Sequence, residues 1–345
     1  MRKEIAFEVL LVGDSGNVNR NGKDELLELV RQHLPKQDNS CVVFLGDNIY
    51  PKGMPEKDDA LRSEAELVAY KHYETLKSYK GKIVFIPGNH DWNKGKEDGL
   101  NYLLRQESYF NNLFQQQVFY PQNACPGPAE IINTDYVCII AIDTQWWMQE
   151  GDKPIGRQNA CVESEQDFFK KLNVLATENA GKRIIILGHH PIYSYSLHGG
   201  KYKMKHHVFP LTLYKKKAYI PMPFVGSLIP LYRKYIGAKE DIAHPKYSYL
   251  RKRMKAIFKS NPGMFYISGH EHNLQYIEKY STHHIISGAA SKSTYVIKGK
   301  YSKFAVSAKG FFILRFYTDK SIKIETVLTN KYNKMGELAY QSWIV

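Results

Sequence analysis

Short apolar runs recur along the chain, and they stop on a narrow set of residues. "IAFEVLLVGDSG" stops at Asp14 and "VVFLGDN" at Asp47. "KIVFIPGNHD" stops at Asn89 and His90, "RIIILGHHP" at His189 and His190, and "MFYISGHEHN" at His270 and His272. Each run is β-branched or aromatic and is followed by glycine, which reads as a strand that turns sharply where it ends. Between the runs lie helix-like segments: residues 22–34, with Leu26, Leu27, Val30 and Leu34, then 60–78, 99–115 and 163–179. Strand alternating with helix predicts an α/β layered fold, in which polar groups gather just beyond the strand C-termini. From residue 264 the runs close up into "QYIEKY", "HHIISG", "STYVIKG", "FFILRFY" and "IKIETVL", the spacing of antiparallel hairpins. The sum is two sheets packed face to face, with helices outside.

Composition narrows the class. The chain has 345 residues, 43% of them hydrophobic, which supplies ample core for a single domain over 1–345. No stretch reaches the ~18 to 20 apolar residues of a membrane-spanning helix. "IAFEVLLVGD" runs straight into a polar motif without a small-residue cleavage site, so a secreted protein would be met here without its leader. Cys41 and Cys138 sit in apolar runs and read as core thiols, whereas Cys125 and Cys161 sit in loop-like sequence and can pair. A bridge between them would argue for an oxidising compartment, and a periplasmic or extracellular setting is the expectation.

A lone Gly-Asp is ordinarily a turn, and a lone histidine ordinarily a core or surface residue. Five strand ends that deliver only Asp, Asn and His are different, because independent turns would also show Ser, Thr, Lys and Pro there. Structural zinc sites favour cysteine, and calcium or magnesium sites favour oxygen alone. Asp14, Asp47, Asn89, His189, His270 and His272 mix oxygen with imidazole and are too many for one ion. Two ions sharing a carboxylate fit better, and Asp47, ending a central strand, is the natural bridge. His270 and His272, one residue apart on a turn, can face different ions.

This order of motifs resembles the calcineurin-like metallophosphoesterases over residues 5 to about 330. "GDSG" and "GDNIY" resemble the purple acid phosphatases within that superfamily, of the tartrate-resistant type. Most relatives carry Asp-x-His at the first motif, where this chain has Asp14-Ser15-Gly16. The resemblance implies a four-layer αββα sandwich of two mixed sheets flanked by helices. It also implies that Tyr50 replaces the missing histidine as a phenolate ligand, a hard oxygen suited to ferric iron. Asp14, Asp47, Tyr50 and His272 would hold Fe(III), and Asp47, Asn89, His189 and His270 a divalent partner such as Fe, Zn or Mn. The implied activity is hydrolysis of phosphate monoesters, by in-line attack of a metal-bound hydroxide. His90 would face the substrate, Asp91 would orient its ring, and His198 in "SLHGG" would be a second substrate-facing histidine. His190, next to a ligand, would lie behind it. Competing readings are a phosphodiesterase, nuclease or nucleotide pyrophosphatase on the same two-metal site, and a non-catalytic module for anionic lipid or polyphosphate.

The segment 196–250 departs from a simple family core. It is rich in Tyr and Pro and has no clean period. Residues 196–255 carry eleven lysines and three arginines against Glu240 and Asp241, a net +12 of the whole chain's +14. Those charges flank an apolar run, "YIPMPFVGSLIPLY", that a solvated loop would not carry. The expectation is a cap over the active site that also presents lysine and tyrosine to an anionic membrane surface. Nucleic acid is not expected as a partner, since no regular platform for base stacking is evident.

Overall fold

The computed structural model describes residues 3–19, 21–156, 161–213, 215 and 217–344. Two mixed sheets form the centre. The first is six-stranded and joins β1 (Ile5–Val12), β2 (Ser40–Phe44) and β3 (Lys82–Phe85) in parallel. The second is seven-stranded and contains β4 (Ala129–Asn133), β5 (Val137–Ala141), β6 (Arg183–Leu187), β7 (Phe265–Ser268), β8 (Leu274–Lys279), β9 (Thr282–Ser287) and β10 (Ser302–Val306). The chain then returns to the first sheet as β11 (Gly310–Tyr317), β12 (Ile322–Asn330) and β13 (Asn333–Ile344), with β11 antiparallel to β1.

Strand register explains the layering. Leu11, Val43 and Val84 lie side by side across β1, β2 and β3, and Ile139, Ile185 and Phe265 across β5, β6 and β7. All six belong to one buried cluster between the sheets. One residue along, Leu10, Val42 and Ile83, with Ile140, Ile186 and Tyr266, face the helices instead. Side chains alternate faces along a strand, so a slip of one residue would exchange the two sets. The covering helices are α1 (Glu25–Gln32), α2 (Arg62–Leu76), α3 (Gly99–Phe114) and α4 (Glu165–Glu178), within a residue or a few of the segments expected. Asp24 starts α1 by accepting the N–H groups of Leu26 and Leu27, and Ser164 caps α4 at Asp167. Two mixed sheets flanked by helices are the architecture that the strand and helix spacing implied.

The basic segment 196–250 holds short pieces of order: α5 (Met204–Val208), α6 (Leu228–Tyr235) and the start of α7 (Pro245–Ser260). Proline interrupts each apolar stretch there, which hides the helical period. "STYVIKG" is not a strand. It contributes one bridge, Ser196 to Val296, and β10 forms further on from a sequence not singled out. Cys125 and Cys161 form a disulfide across 36 residues, while Cys41 and Cys138 are buried free thiols.

His72, on α2, fixes the loop after β1. Its Nδ1–H donates to the Val68 carbonyl at 2.8 Å, leaving Nε2 to accept from the Ser15 hydroxyl at 2.8 Å. Burial holds this ring down to about 4 from an ordinary 6.5. The unfolded chain takes up a proton below about pH 6.5 that the folded chain refuses until about pH 4, so acidification through this window costs stability. The stability of wild type relative to His72→Gln should therefore fall by about 1.4 kcal/mol per pH unit between 6.5 and 4. Paired guanidinium titrations at pH 7 and pH 5 measure this, and an unchanged difference would show that the ring is charged in the fold.

Candidate metal centre

The parallel strands deliver their polar residues to one edge. Asp14 follows β1, Asp47 β2, Asn89 β3, His189 β6, and His270 and His272 β7. Asp14, Asp47 and His270 each take a left-handed backbone, with φ of 59°, 53° and 67°. That conformation is unfavourable for a residue with a Cβ, and it persists where surrounding bonds over-determine it. Here they do. The Asp14 amide donates to the Gly46 carbonyl, the His270 amide to Asp14 Oδ2 at 2.8 Å, and the His90 amide to Asp47 Oδ1 at 2.9 Å. Glycine at 46 is required twice over: its φ is +88°, and a Cβ there would lie 2.5 Å from His189 Nδ1.

Two donor clusters result. In the first, the Tyr50 hydroxyl lies 3.2 Å from Asp14 Oδ1, 3.0 Å from Asp47 Oδ2 and 3.2 Å from His272 Nε2. In the second, His189 Nε2 lies 3.0 Å from Asn89 Oδ1 and 3.5 Å from Asp47 Oδ1, and His270 Nδ1 lies 3.3 Å from Asn89 Oδ1. Asp47 presents one oxygen to each. The histidine tautomers suit ligation. His189 donates Nδ1–H to the Leu45 carbonyl at 2.7 Å, and His270 donates Nε2–H to the Glu240 carbonyl at 3.2 Å. Each ring is thereby oriented with its other nitrogen free, as histidine ligands usually are.

Charge makes the same point. Asp14 and Asp47 are buried, as are His189 and His270. Burial pushes the Asp47 carboxyl up, but His90 and His189 outweigh it and hold it down to about 2. Burial, then Asp47 and Asp14, push the Tyr50 phenol well above its ordinary value. A phenolate in this position therefore needs cations beside it. The mixed, convergent oxygen and nitrogen donors fit metal ions, and an all-oxygen or thiolate chemistry is not what they offer.

The other expected residues are placed as follows. His90 stands at the lip, with its ring 4.3 Å from that of Tyr50 and Nε2 3.8 Å from Asp47. Its orientation comes from the Pro51 carbonyl, which accepts from Nδ1 at 2.6 Å. Asp91 does not orient it. The buried Asp91 carboxylate accepts from the amides of Gly88 and Asn48 and from the side chains of Asn48 and Gln106. It ties the loops after β2 and β3 together, because a buried carboxylate among free N–H groups pairs with those first. Burial, then Asp47, push it up to about 7. His190 packs behind the donors, with Nδ1 2.8 Å from the Thr144 hydroxyl, its ring 4.5 Å from that of His270, and a ring nitrogen close enough to those of His189 and His270 for the three to hold an ion. His198 does reach the site, with its ring 4.6 Å from that of His270.

Sequence reasoning passed over the residues that hold His198. Asp241 Oδ1 lies 3.0 Å from its Nδ1, and Arg233 grips both oxygens of Asp241, at 2.9 Å and 2.5 Å. Burial disfavours the charged His198 ring, but Asp241 and Glu271 outweigh it and raise its pKa. Beside Asp241, Glu240 Oε2 comes to 3.6 Å from His190 Nε2 and 3.9 Å from His270 Nε2. The pointer was present: Glu240 and Asp241 are the lone acids of a basic segment.

A two-sheet sandwich with Asp, Asn, His and Tyr donors on one strand edge defines a metallophosphoesterase. The chain belongs to the calcineurin-like phosphoesterase family, whose model matches residues 7–274. Within it, the chain is similar to the purple acid phosphatases. It is 22% identical over 209 residues to "Purple acid phosphatase 3" of Arabidopsis thaliana, covering 59% of this chain and 52% of that protein. Its fold is similar to that of GAP50, titled the anchor in the inner membrane complex of Plasmodium, with a TM-score of 0.60, 18% identity, and 98% and 88% of the two chains covered. It is also similar to that of purple acid phosphatase PPD1 from yellow lupin (Lupinus luteus) seeds, with a TM-score of 0.56, 15% identity, and 99% and 54% covered. The chain spans about half the length of the curated relatives it matches.

Donors arranged to bind ions couple binding to folding. A divalent cation at about a hundred times its dissociation constant should stabilise chelator-treated protein by ~2.7 kcal/mol, roughly 5 °C in melting temperature. Asp47→Asn should abolish the response. A melting temperature indifferent to chelator and metal would show that these donors do not ligate.

Proposed function

We propose that this protein hydrolyses phosphate monoesters at a two-metal site of the purple acid phosphatase type. The observation that carries the reading is the pair of donor clusters that share Asp47. Asp14, Asp47, Tyr50 and His272 would hold Fe(III), with the Tyr50 phenolate favouring the trivalent ion, and Asp47, Asn89, His189 and His270 a divalent one. Ions bound there would supply Lewis acidity and an activated water.

The chain's own groups do the rest. His90, held by Pro51, directs Nε2 toward the cluster and can steady a phosphate oxygen as charge develops on it. His198, anchored through Nδ1 by Asp241, keeps Nε2 for donating a proton to the departing alcohol. Arg233 holds Asp241 in register, so the insertion 196–250 serves as a cap that completes the site. Glu240 works similarly through its carbonyl on His270.

A proton donor matters most for a poor leaving group. His198→Gln should reduce kcat/KM on an alkyl phosphate by roughly 10²- to 10⁴-fold and on p-nitrophenyl phosphate far less. Equal losses on both would remove His198 as the acid. Turnover of an aryl phosphodiester above that of the matching monoester would instead favour a diesterase or nuclease. Tyr50→Phe keeps the ring and loses the oxygen, so it should abolish the phenolate-to-iron colour of iron-loaded protein while leaving its fold intact. A colourless iron-loaded wild type would sink the Tyr50 assignment.

A further inference from the structure

Helix α6 is built inside out. Leu228, Leu231, Tyr232 and Tyr235 recur at the three- and four-residue spacing of one helical face, and all four are exposed. The face turned inward carries Pro230 and the charged Arg233, which is buried on Asp241. The preceding loop carries Phe224, fully exposed and at φ +64°, with Val225 exposed next to it and Ile220 exposed four residues earlier. This loop is tied to its neighbours: the Met222 amide donates to the Val208 carbonyl on α5, and His207 pairs with Ser227 at the start of α6. The apolar groups are thus held outward by a folded scaffold, and a soluble monomer seldom leaves such a surface uncovered.

The charge carried by this stretch of chain has one sign. Between Glu178 and Glu240 the sequence contains no acidic residue, and Lys203, Lys205, Lys215, Lys217 and Lys234 are exposed. A second copy of the chain would bring like charges together. An anionic bilayer satisfies both features, with lysines at the headgroups, tyrosines at the interface and Phe224 among the acyl chains. We propose that residues 203–213, 215 and 217–236 form a docking surface for an anionic lipid bilayer. The proposal does not depend on the activity argued above, since it uses none of the metal-site residues.

The test is co-sedimentation with vesicles of phosphatidylcholine alone and of phosphatidylcholine with phosphatidylglycerol, across a salt series. Wild type should bind the anionic vesicles, lose binding as salt rises, and leave the neutral vesicles unbound. Changing Lys205, Lys215 and Lys217 together to Gln should weaken binding ~100-fold, at roughly five-fold per charge. Phe224→Ser with Leu228→Ser should weaken it at least ten-fold. Both positions are exposed, so circular dichroism and melting temperature should match wild type. Equal binding to both vesicle types, no binding to either, or indifference to both sets of changes would overturn the proposal. So would exclusive binding to an acidic protein surface with none to lipid.

Discussion

Asp14 and Asp47 are buried on either side of one phenol, with the Tyr50 hydroxyl within 3.2 Å of both. Carboxylates removed from water repel one another and press the phenol to keep its proton, so the arrangement is costly until cations offset it. Much of the surrounding structure reads as a response to that constraint. Three residues accept left-handed backbones in order to aim their side chains. Glycines remove Cβ atoms where loops converge. The amides of His90 and His270 spend their hydrogen bonds on the two carboxylates. Strain and charge concentrated at one edge of an otherwise regular sandwich are the mark of a site whose ligands are positioned for binding at the expense of stability.

Part of that edge was legible in the chain, because Asp14, Asp47, Asn89, His189 and His270 each directly follow a glycine just past a strand. Apolar period fixes the strand, glycine fixes the turn, and the side chain that follows has nowhere else to go. The same logic recovered the two-layer core, since Leu10 and Leu11 must face opposite sides of β1. It failed where position depends on distant parts of the chain. Asp91 looked like a partner for the neighbouring His90 ring, yet unpaired amides of Asn48 and Gly88 claim it first. Asp241 and Arg233 are eight residues apart, one past the end of α6 and one on it, and only folding brings them to His198. "STYVIKG" has the composition of a strand, but it forms one isolated bridge, Val296 to Ser196, and scattered bonds to Tyr195 and His272 in place of a ladder.

The basic segment 196–250 has two sides. One side of it faces inward, through Glu240, Asp241 and Arg233. The other turns lysine, tyrosine and phenylalanine outward. Arg233 belongs to both: it sits on α6, whose apolar stripe faces solvent, and is itself buried on Asp241. A change in how α6 is held would thereby be felt at His198, and this gives the surface a physical route to the site.

The central claim is that two ions share Asp47. Anomalous diffraction from crystals loaded with iron and a second metal tests it without reference to any substrate. The account predicts two peaks. One is bounded by Asp14, Tyr50 and His272, the other by Asn89, His189 and His270, and Asp47 reaches both. A single peak, or two peaks of which one lacks Asp47, would contradict it.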